Sequence, residues 1–288
     1  MANNSYIKLL RINHWFKNIF LLSGVLFAMF ISTTYSIGIV FIGKLILAFL
    51  LSSLVSSASY IINQITDAKY DALHPIKKNR IIPAGRVSVN VAAAIAFLLF
   101  VTSVFVAGRV YTPGFVWSLI GLCVAGLIYN IPPLRLKDVP FIDVISESIN
   151  NPIRFMIGWY ILSWQMPPVG VLILTWCLGA VFMVAKRYDE LRHFGWQLIP
   201  YRSTFSVYTL SRLRVLLCLY TSLSILLLAN NINLFSSISI GIFLIWFINE
   251  VVTGKMKGKS IEEYVFSQNF ILRLVVITLL VIFRILTR

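Results

Sequence analysis

Three side chains with metal-binding oxygens recur every four residues, at Asn63, Asp67 and Asp71. A spacing of four places successive side chains on one face of a helix. The row drifts by about 80° in total at 3.6 residues per turn. Two carboxylates and an amide oxygen then converge. Hard oxygen donors suit Mg²⁺, which is commonly held by one or two carboxylates while substrate phosphates complete its shell. Two aspartates at a helix end would by themselves read as ordinary surface acids. The residues that follow change that reading. In His74-Pro75-Ile76-Lys77-Lys78-Asn79-Arg80-Ile81-Ile82-Pro83-Ala84-Gly85, three cations lie within nine residues of Asp71. Diphosphate needs metal on some of its oxygens and Lys or Arg on others. Acids beside bases at the end of an apolar segment therefore point to a metal–diphosphate site.

Three further groups carry chemistry. Lys186-Arg187-Tyr188-Asp189-Glu190 closes an apolar segment and could bring a carboxylate and two cations to the same cavity. The plainer reading is a surface pattern of ion pairs at i, i+3 and i+4. Asp143, Glu147, Asn150 and Arg154 fall on one face of a helix, with Arg154 eleven residues in. That is about 16 Å along the axis. An ionisable residue at such depth in a membrane faces a cavity or a partner, so this face is either a wall that reaches an anion or a buried Arg–Glu pair. In the leader, Arg11, Trp15 and Asn18 share a face beside His14 and Lys17, as a phosphate-touching helix or an interfacial anchor. The three histidines have no common ligand spacing and are assigned no metal.

The elements that position these groups follow from composition. The chain has 288 residues, 59% hydrophobic and only 12% charged, where a soluble domain carries roughly 25% charged residues. Lipid must cover part of so apolar a surface. Nine runs approach the length of about 20 residues that spans a bilayer: 19–36, 40–62, 88–108, 113–131, 141–163, 168–185, 213–230, 233–252 and 267–285. The net charge of +15 comes from 25 Lys and Arg against 10 acids. The bases cluster in alternate loops, which speaks for membrane topology and against nucleic acid. The positive-inside rule makes those loops cytoplasmic, with the N-terminus inside and the C-terminus outside. Arg284 and Arg288 then sit on the wrong side. Seven of the ten acids fall in three clusters, all on the basic side, as expected of a protein that builds a site there. Cys123, Cys177 and Cys218 read as small core residues. The first span has no small-residue cleavage site after it, so no cleaved signal peptide is expected. No linker divides the chain, which is read as one polytopic domain of residues 1–288; charged clusters after the second and sixth spans give a weak echo of a duplicated four-helix unit.

Asn63-x3-Asp67-x3-Asp71, with Arg80, Pro83 and Gly85 behind it, resembles the first Asp-rich motif of the UbiA superfamily of intramembrane prenyltransferases. More narrowly, four segments resemble its decaprenyl-phosphate phosphoribosyltransferase branch: Leu10-Arg11-x2-His14-Trp15-x-Lys17-Asn18, His74-Pro75-x-Lys77, Ile82-Pro83-Ala84-Gly85 and Ala185-Lys186-Arg187-Tyr188-x-Glu190. The resemblance covers nearly the whole chain in span count and motif order. It implies an all-α membrane protein of about nine transmembrane helices around a cavity open to the cytoplasm and to lipid. Gln64 stands where the family usually has Asp, which leaves the number of metal ions open. The Lys-Arg-Tyr-Asp-Glu cluster replaces the second Asp-rich motif of the enzymes with aromatic acceptors, and the segment 147–154 differs from the branch around its Arg.

The activity so implied moves 5-phosphoribosyl from phosphoribosyl diphosphate to a polyprenyl phosphate, releases diphosphate and feeds cell-envelope polysaccharide synthesis. It would take place at the cytoplasmic side of a bacterial inner membrane. Asn63, Asp67 and Asp71 would hold Mg²⁺. Asp67, Asp71, Lys78 and Arg80 would serve departure of the diphosphate. Lys17, Asn18, Lys77, Arg154, Lys186, Arg187, Tyr188 and Glu190 would contact the substrates. Two alternatives have different chemistry: a same-fold enzyme that alkylates an aromatic or other acceptor with a prenyl diphosphate, and a transporter of anionic lipids or metabolites. The near absence of acids on the outer side speaks against the transporter.

Overall fold

The computed structural model describes residues 2–31, 38–72, 77–232, 234–256, 264, 267–273 and 275–276. Every regular element among them is helical: α1 (Ala2–Leu9), α2 (Leu21–Ile31), α3 (Ile39–Ala72), α4 (Val89–Val110), α5 (Pro113–Asn130), α6 (Ile142–Ser148), α7 (Asn150–Trp159), α8 (Val169–Phe194), α9 (Leu210–Asn231) and α10 (Leu234–Val252), with short 3₁₀ stretches between. Hydroxyl caps set several starts. Ser88, Thr112 and Thr209 accept from the backbone N–H groups of Val91, Phe115 and Arg212, satisfying donors that the first helical turn leaves unpaired. Pro113 follows its cap at the first helical position, where a missing N–H costs nothing.

Six segments are long and apolar enough to cross a membrane among the described residues: Tyr6–Ile31, Ile39–Ala72, Val89–Val110, Pro113–Asn130, Val169–Phe194 and Leu210–Asn231. They correspond to the expected spans one to four, six and seven. The eighth is the shorter apolar helix Ser236–Val252. Most of the ninth, with Arg284 and Arg288, lies outside the described residues, as do His74 and Pro75. The fifth expected span, 141–163, is not one helix. It breaks at Ile149 into α6 and α7. Pro152 has no N–H to give the carbonyl of Ser148, which interrupts the ladder of backbone bonds there. The single polar face expected from Asp143 to Arg154 is thereby divided. Of the three cysteines, Cys123 and Cys177 are buried as expected, whereas Cys218 is exposed on α9.

The chain forms two compact units, Met1–Lys137 with Ile149–Pro167, and Asp138–Ser148 with Pro168–Arg288. In the first, α3 packs on α4 and α5, and α7 on α2 and α5. One of its apolar clusters runs from Ala48, Leu51 and Val55 to Phe115, Leu119 and Ile157, and another surrounds Ile61, Ile81 and Ala92. In the second, α8 is central to α6, α9 and α10, over a core that includes Tyr188, Phe205, Tyr208, Leu213 and Phe247.

The α2–α7 crossing depends on two glycines. A Cβ on Gly24 would stand 2.0 Å from the Phe155 carbonyl oxygen, and one on Gly158 would stand 1.8 Å from that of Leu21. Small residues let helix backbones approach where lipid supplies no hydrophobic force between helices. Gly158→Ala should therefore cost about 1–3 kcal/mol or more, since backbone cannot yield as a side chain does. Thermal unfolding of the purified protein in detergent measures this. An unchanged midpoint would refute the tight crossing.

Candidate functional site

The acid row occupies the last turns of α3. Asp67 Oδ1 accepts from Arg135 Nη2 at 2.9 Å and from Lys137 Nζ at 2.6 Å. Lys137 also donates to Asn130 Oδ1 at 3.0 Å, and Asn63 Nδ2 donates to that same oxygen at 2.7 Å. Asn130 is held in turn by the hydrogen bond that its Nδ2 donates to the Gly126 carbonyl. One turn beyond Asp67, Asp71 Oδ2 accepts from Arg80 Nη1 at 2.5 Å. The first motif thus lies inside a cationic ring of Arg80, Arg135 and Lys137, with the guanidinium of Arg135 also over the Tyr70 ring.

These bonds fix which oxygens stay available. Among the described residues, Asn63 Oδ1, Asp67 Oδ2 and Asp71 Oδ1 carry no hydrogen bond or ion pair. Their donor chemistry fits a hard divalent cation such as Mg²⁺. No group of three or more His, Cys, Asp or Glu that could hold a metal gathers among the described residues. Two carboxylates and an amide are a partial shell, which suits an ion whose other ligands come from phosphate and water. Gln64, at the position where the resemblance expects Asp, turns elsewhere. It is 2% exposed and donates to the Leu9 carbonyl at 3.5 Å, tying α3 to the leader.

Arg135 and Lys137 belong to one of the basic loops that the sequence gives to membrane topology, and Asn130 is not among its site candidates. The available signal was Asn130 closing an apolar span, with cations five and seven residues on. Of the expected cations, Arg80 reaches the acid row, Lys78 is exposed, and the Lys77 side chain lies outside the described residues.

The leader docks on α3 through polar contacts. Residues Ile12–Phe20 form a 3₁₀ helix, and Arg11 before them has a left-handed backbone. The expected α-helical face is therefore replaced by a 3₁₀ one, yet Arg11, Trp15 and Asn18 all meet α3. Arg11 lies over the Tyr60 ring, Trp15 Nε1 donates to Ser57 Oγ at 2.9 Å, and Asn18 Nδ2 donates to Ser53 Oγ at 3.1 Å. Asn18 Oδ1 accepts from Arg154 Nε at 2.9 Å, so α7 brings its intramembrane cation to the leader. Lys17 is half-buried beside them.

In the other unit, the Lys186–Glu190 cluster differs from a surface ion-pair pattern. Arg187 is 1% exposed, Tyr188 2% and Asp143 0%. Arg187 bridges two carboxylates, Asp143 Oδ2 through Nε at 2.9 Å and Glu190 Oε2 through Nη1 at 2.7 Å. Asp143 Oδ1 accepts from the Tyr208 hydroxyl, which itself accepts from the Phe141 backbone N–H at 2.9 Å. Burial, then the Asp143 charge, push the Tyr208 hydroxyl up from its ordinary value and keep it protonated. Arg187 and Tyr188, expected to contact substrate, thus turn inward, because α8 buries that face in the core. Tyr208 was not anticipated by the sequence. Lys186 is half-buried.

A family model for UbiA prenyltransferases matches residues 21–272. The chain belongs to the UbiA prenyltransferase family. Like its relatives, this UbiA protein is a multi-pass membrane transferase. It is 31% identical over 223 residues to a decaprenyl-phosphate phosphoribosyltransferase of Mycobacterium tuberculosis, covering 74% of this chain and 71% of that one. A protein of the same description from Mycolicibacterium smegmatis is 30% identical over 72% of this chain and 64% of its own length. Among solved structures, a UbiA homolog from Archaeoglobus fulgidus bound to DMAPP and Mg²⁺ superposes with a TM-score of 0.71 at 19% identity, over 98% of this chain and 99% of that one. That likeness shows the fold, which is all-helical among the described residues.

Proposed function

We propose that this chain transfers 5-phosphoribosyl from phosphoribosyl diphosphate to a polyprenyl phosphate, with release of diphosphate. The observation that carries the choice is the match to decaprenyl-phosphate phosphoribosyltransferases over 74% of the chain. The acid row inside its ring of cations supports a diphosphate-bearing donor. An oxygen of the lipid phosphate forms a bond to the ribosyl C1. The bond from C1 to the diphosphate oxygen breaks, and its electron pair leaves with diphosphate. The attacking phosphate is already ionised, so the site needs no general base.

Asn63, Asp67 and Asp71 would hold Mg²⁺ through their open oxygens. Bound there, the ion would neutralise charge on the departing diphosphate. Lys78 and Arg80, joined by Arg135 and Lys137, give charge-assisted hydrogen bonds to the phosphate oxygens, strongest as charge develops. Lys17, Asn18, Lys77, Arg154 and Lys186 hold the lipid phosphate or the ribose 5-phosphate. Arg187 and Tyr188 support the site from the interior, and Glu190 contacts the donor. The basic loops lie on the cytoplasmic side of a bacterial inner membrane, as one polytopic domain, and the product enters cell-envelope polysaccharide synthesis. Purified protein given labelled phosphoribosyl diphosphate, polyprenyl phosphate and Mg²⁺ should form a lipid-linked phosphoribose. Absence of that product, with prenylation of an aromatic acid from a prenyl diphosphate, would overturn the proposal.

A further inference from the structure

Lys137 orients one candidate metal ligand by direct contact and another through a third side chain. An ammonium has hydrogens to donate and no lone pair to accept with. The amide atom of Asn130 that stands 3.0 Å from Lys137 Nζ is therefore its oxygen. Asn130 Nδ2, on the other prong, donates to the Gly126 carbonyl at 2.8 Å, in agreement with that orientation. The Asn63 amide approaches the same Asn130 oxygen at 2.7 Å. Two oxygens at that distance would repel, so Asn63 presents its Nδ2 there and turns its Oδ1 away. On Asp67, Lys137 takes Oδ1 at 2.6 Å. Asn130 and Lys137 are 4% and 5% exposed, so water competes little for these bonds. Asn63, Asp67, Asn130 and Lys137 all belong to the same compact unit.

An asparagine amide left to itself rotates between two orientations of nearly equal shape. One offers a cation an oxygen, and the other offers it N–H groups that repel it. We propose that Asn130 is a positioning residue for the metal site: its oxygen holds Asn63 Nδ2, so that Asn63 Oδ1 faces the cation. This deepens the metal–diphosphate reading and rests on it. Asn130 touches neither the ion nor the diphosphate in this role. It acts from behind a ligand, where a hydrogen-bond partner fixes which atom that ligand offers. The role also accounts for an amide at the head of a row of carboxylates. Asn63→Asp would set a second acceptor against the Asn130 oxygen, which Lys137 prevents from turning.

The test measures Mn²⁺ binding through the paramagnetic resonance of the free ion, with the full-length protein in detergent and inorganic diphosphate as the anionic probe. Asn130→Leu keeps the bulk of the side chain and removes both polar prongs. It should weaken Mn²⁺ binding about 10-fold, the lower end of the cost of losing a partner behind a metal ligand. Asn130→Asp keeps an acceptor towards Asn63 and should stay close to the wild type. In a protein already carrying Asn63→Ala, Asn130→Leu should have little further effect, because no amide remains to be directed. In turnover, Asn130→Leu should raise the Mg²⁺ concentration needed for half-maximal rate more than it lowers the rate at saturating Mg²⁺. Should the leucine variant not fold, Asn130→Ala reads the same quantities. A lowered unfolding midpoint with unchanged Mn²⁺ affinity would make Asn130 merely structural and overturn the proposal. An equal loss in the Asn63→Ala background would overturn it too, since Asn130 would then act through Lys137 and Asp67. Wild-type Mn²⁺ affinity in Asn63→Ala would overturn the proposal and leave the reading of Asp67 and Asp71 standing. A wild-type protein that binds no Mn²⁺ with diphosphate would overturn the metal–diphosphate reading and the proposal together.

Discussion

Asp67→Asn and Asp71→Asn should each lower Mg²⁺-dependent turnover by roughly 10²- to 10³-fold, the scale of losing one preorganised charge-stabilising group. Each change removes a carboxylate charge that the proposed metal site needs and also the counter-ion of a cation. At Asp67 the second loss is the larger, because Lys137 is 5% exposed and donates to Asp67 at 2.6 Å, and Arg135 donates to the same oxygen. Asp71 faces the more exposed Arg80, whose side chain is 27% accessible. Asp67→Asn should therefore also lower thermal stability, and Asp71→Asn much less. Initial rates over a Mg²⁺ titration, with unfolding midpoints of the same preparations, read both effects. Undiminished turnover in both variants would refute the role assigned to the acid row, whatever the donor.

Arg187→Met should be the most destabilising single change in the second unit, by about 3–5 kcal/mol, the cost of breaking a buried ion pair from one side. Asp143 is 0% exposed and would be left as an uncompensated charge in the core. Adding Asp143→Asn to that variant should recover a large part of the loss, because a neutral amide still accepts from the Tyr208 hydroxyl. Replacing both members of a buried pair is far less costly than removing one. Unfolding in detergent measures each step. Additive losses in the double variant would show that Asp143 and Arg187 do not stabilise one another.

These two changes divide along what could be seen in the sequence. The acid row was legible because its spacing of four matches the helical period, and α3 runs unbroken through Asn63, Asp67 and Asp71. Apolar length was equally legible: six segments long enough to cross a membrane correspond to expected spans. Covalent spacing carries such information directly, since it fixes both rise and direction along one helix. The break at Ile149 was less visible, because hydrophobicity continues through 141–163 while Pro152 removes one backbone bond.

Partner choice between helices was not legible. Arg135 and Lys137 looked like topology charges, and only the packing of α5 against α3 brings them to Asp67, 68 and 70 residues away in the chain. Tyr208 carried no motif at all, yet it anchors Asp143 from a separate segment. Arg187 matched a family motif, but its direction inward toward Asp143 depends on which face of α8 the core claims. The sequence alone determined that this is a polytopic helical membrane protein with a row of acids on one helix. Tertiary structure decided which cations hold those acids and which motif residues turn inward, because pairing across helices depends on packing and not on spacing along any one of them.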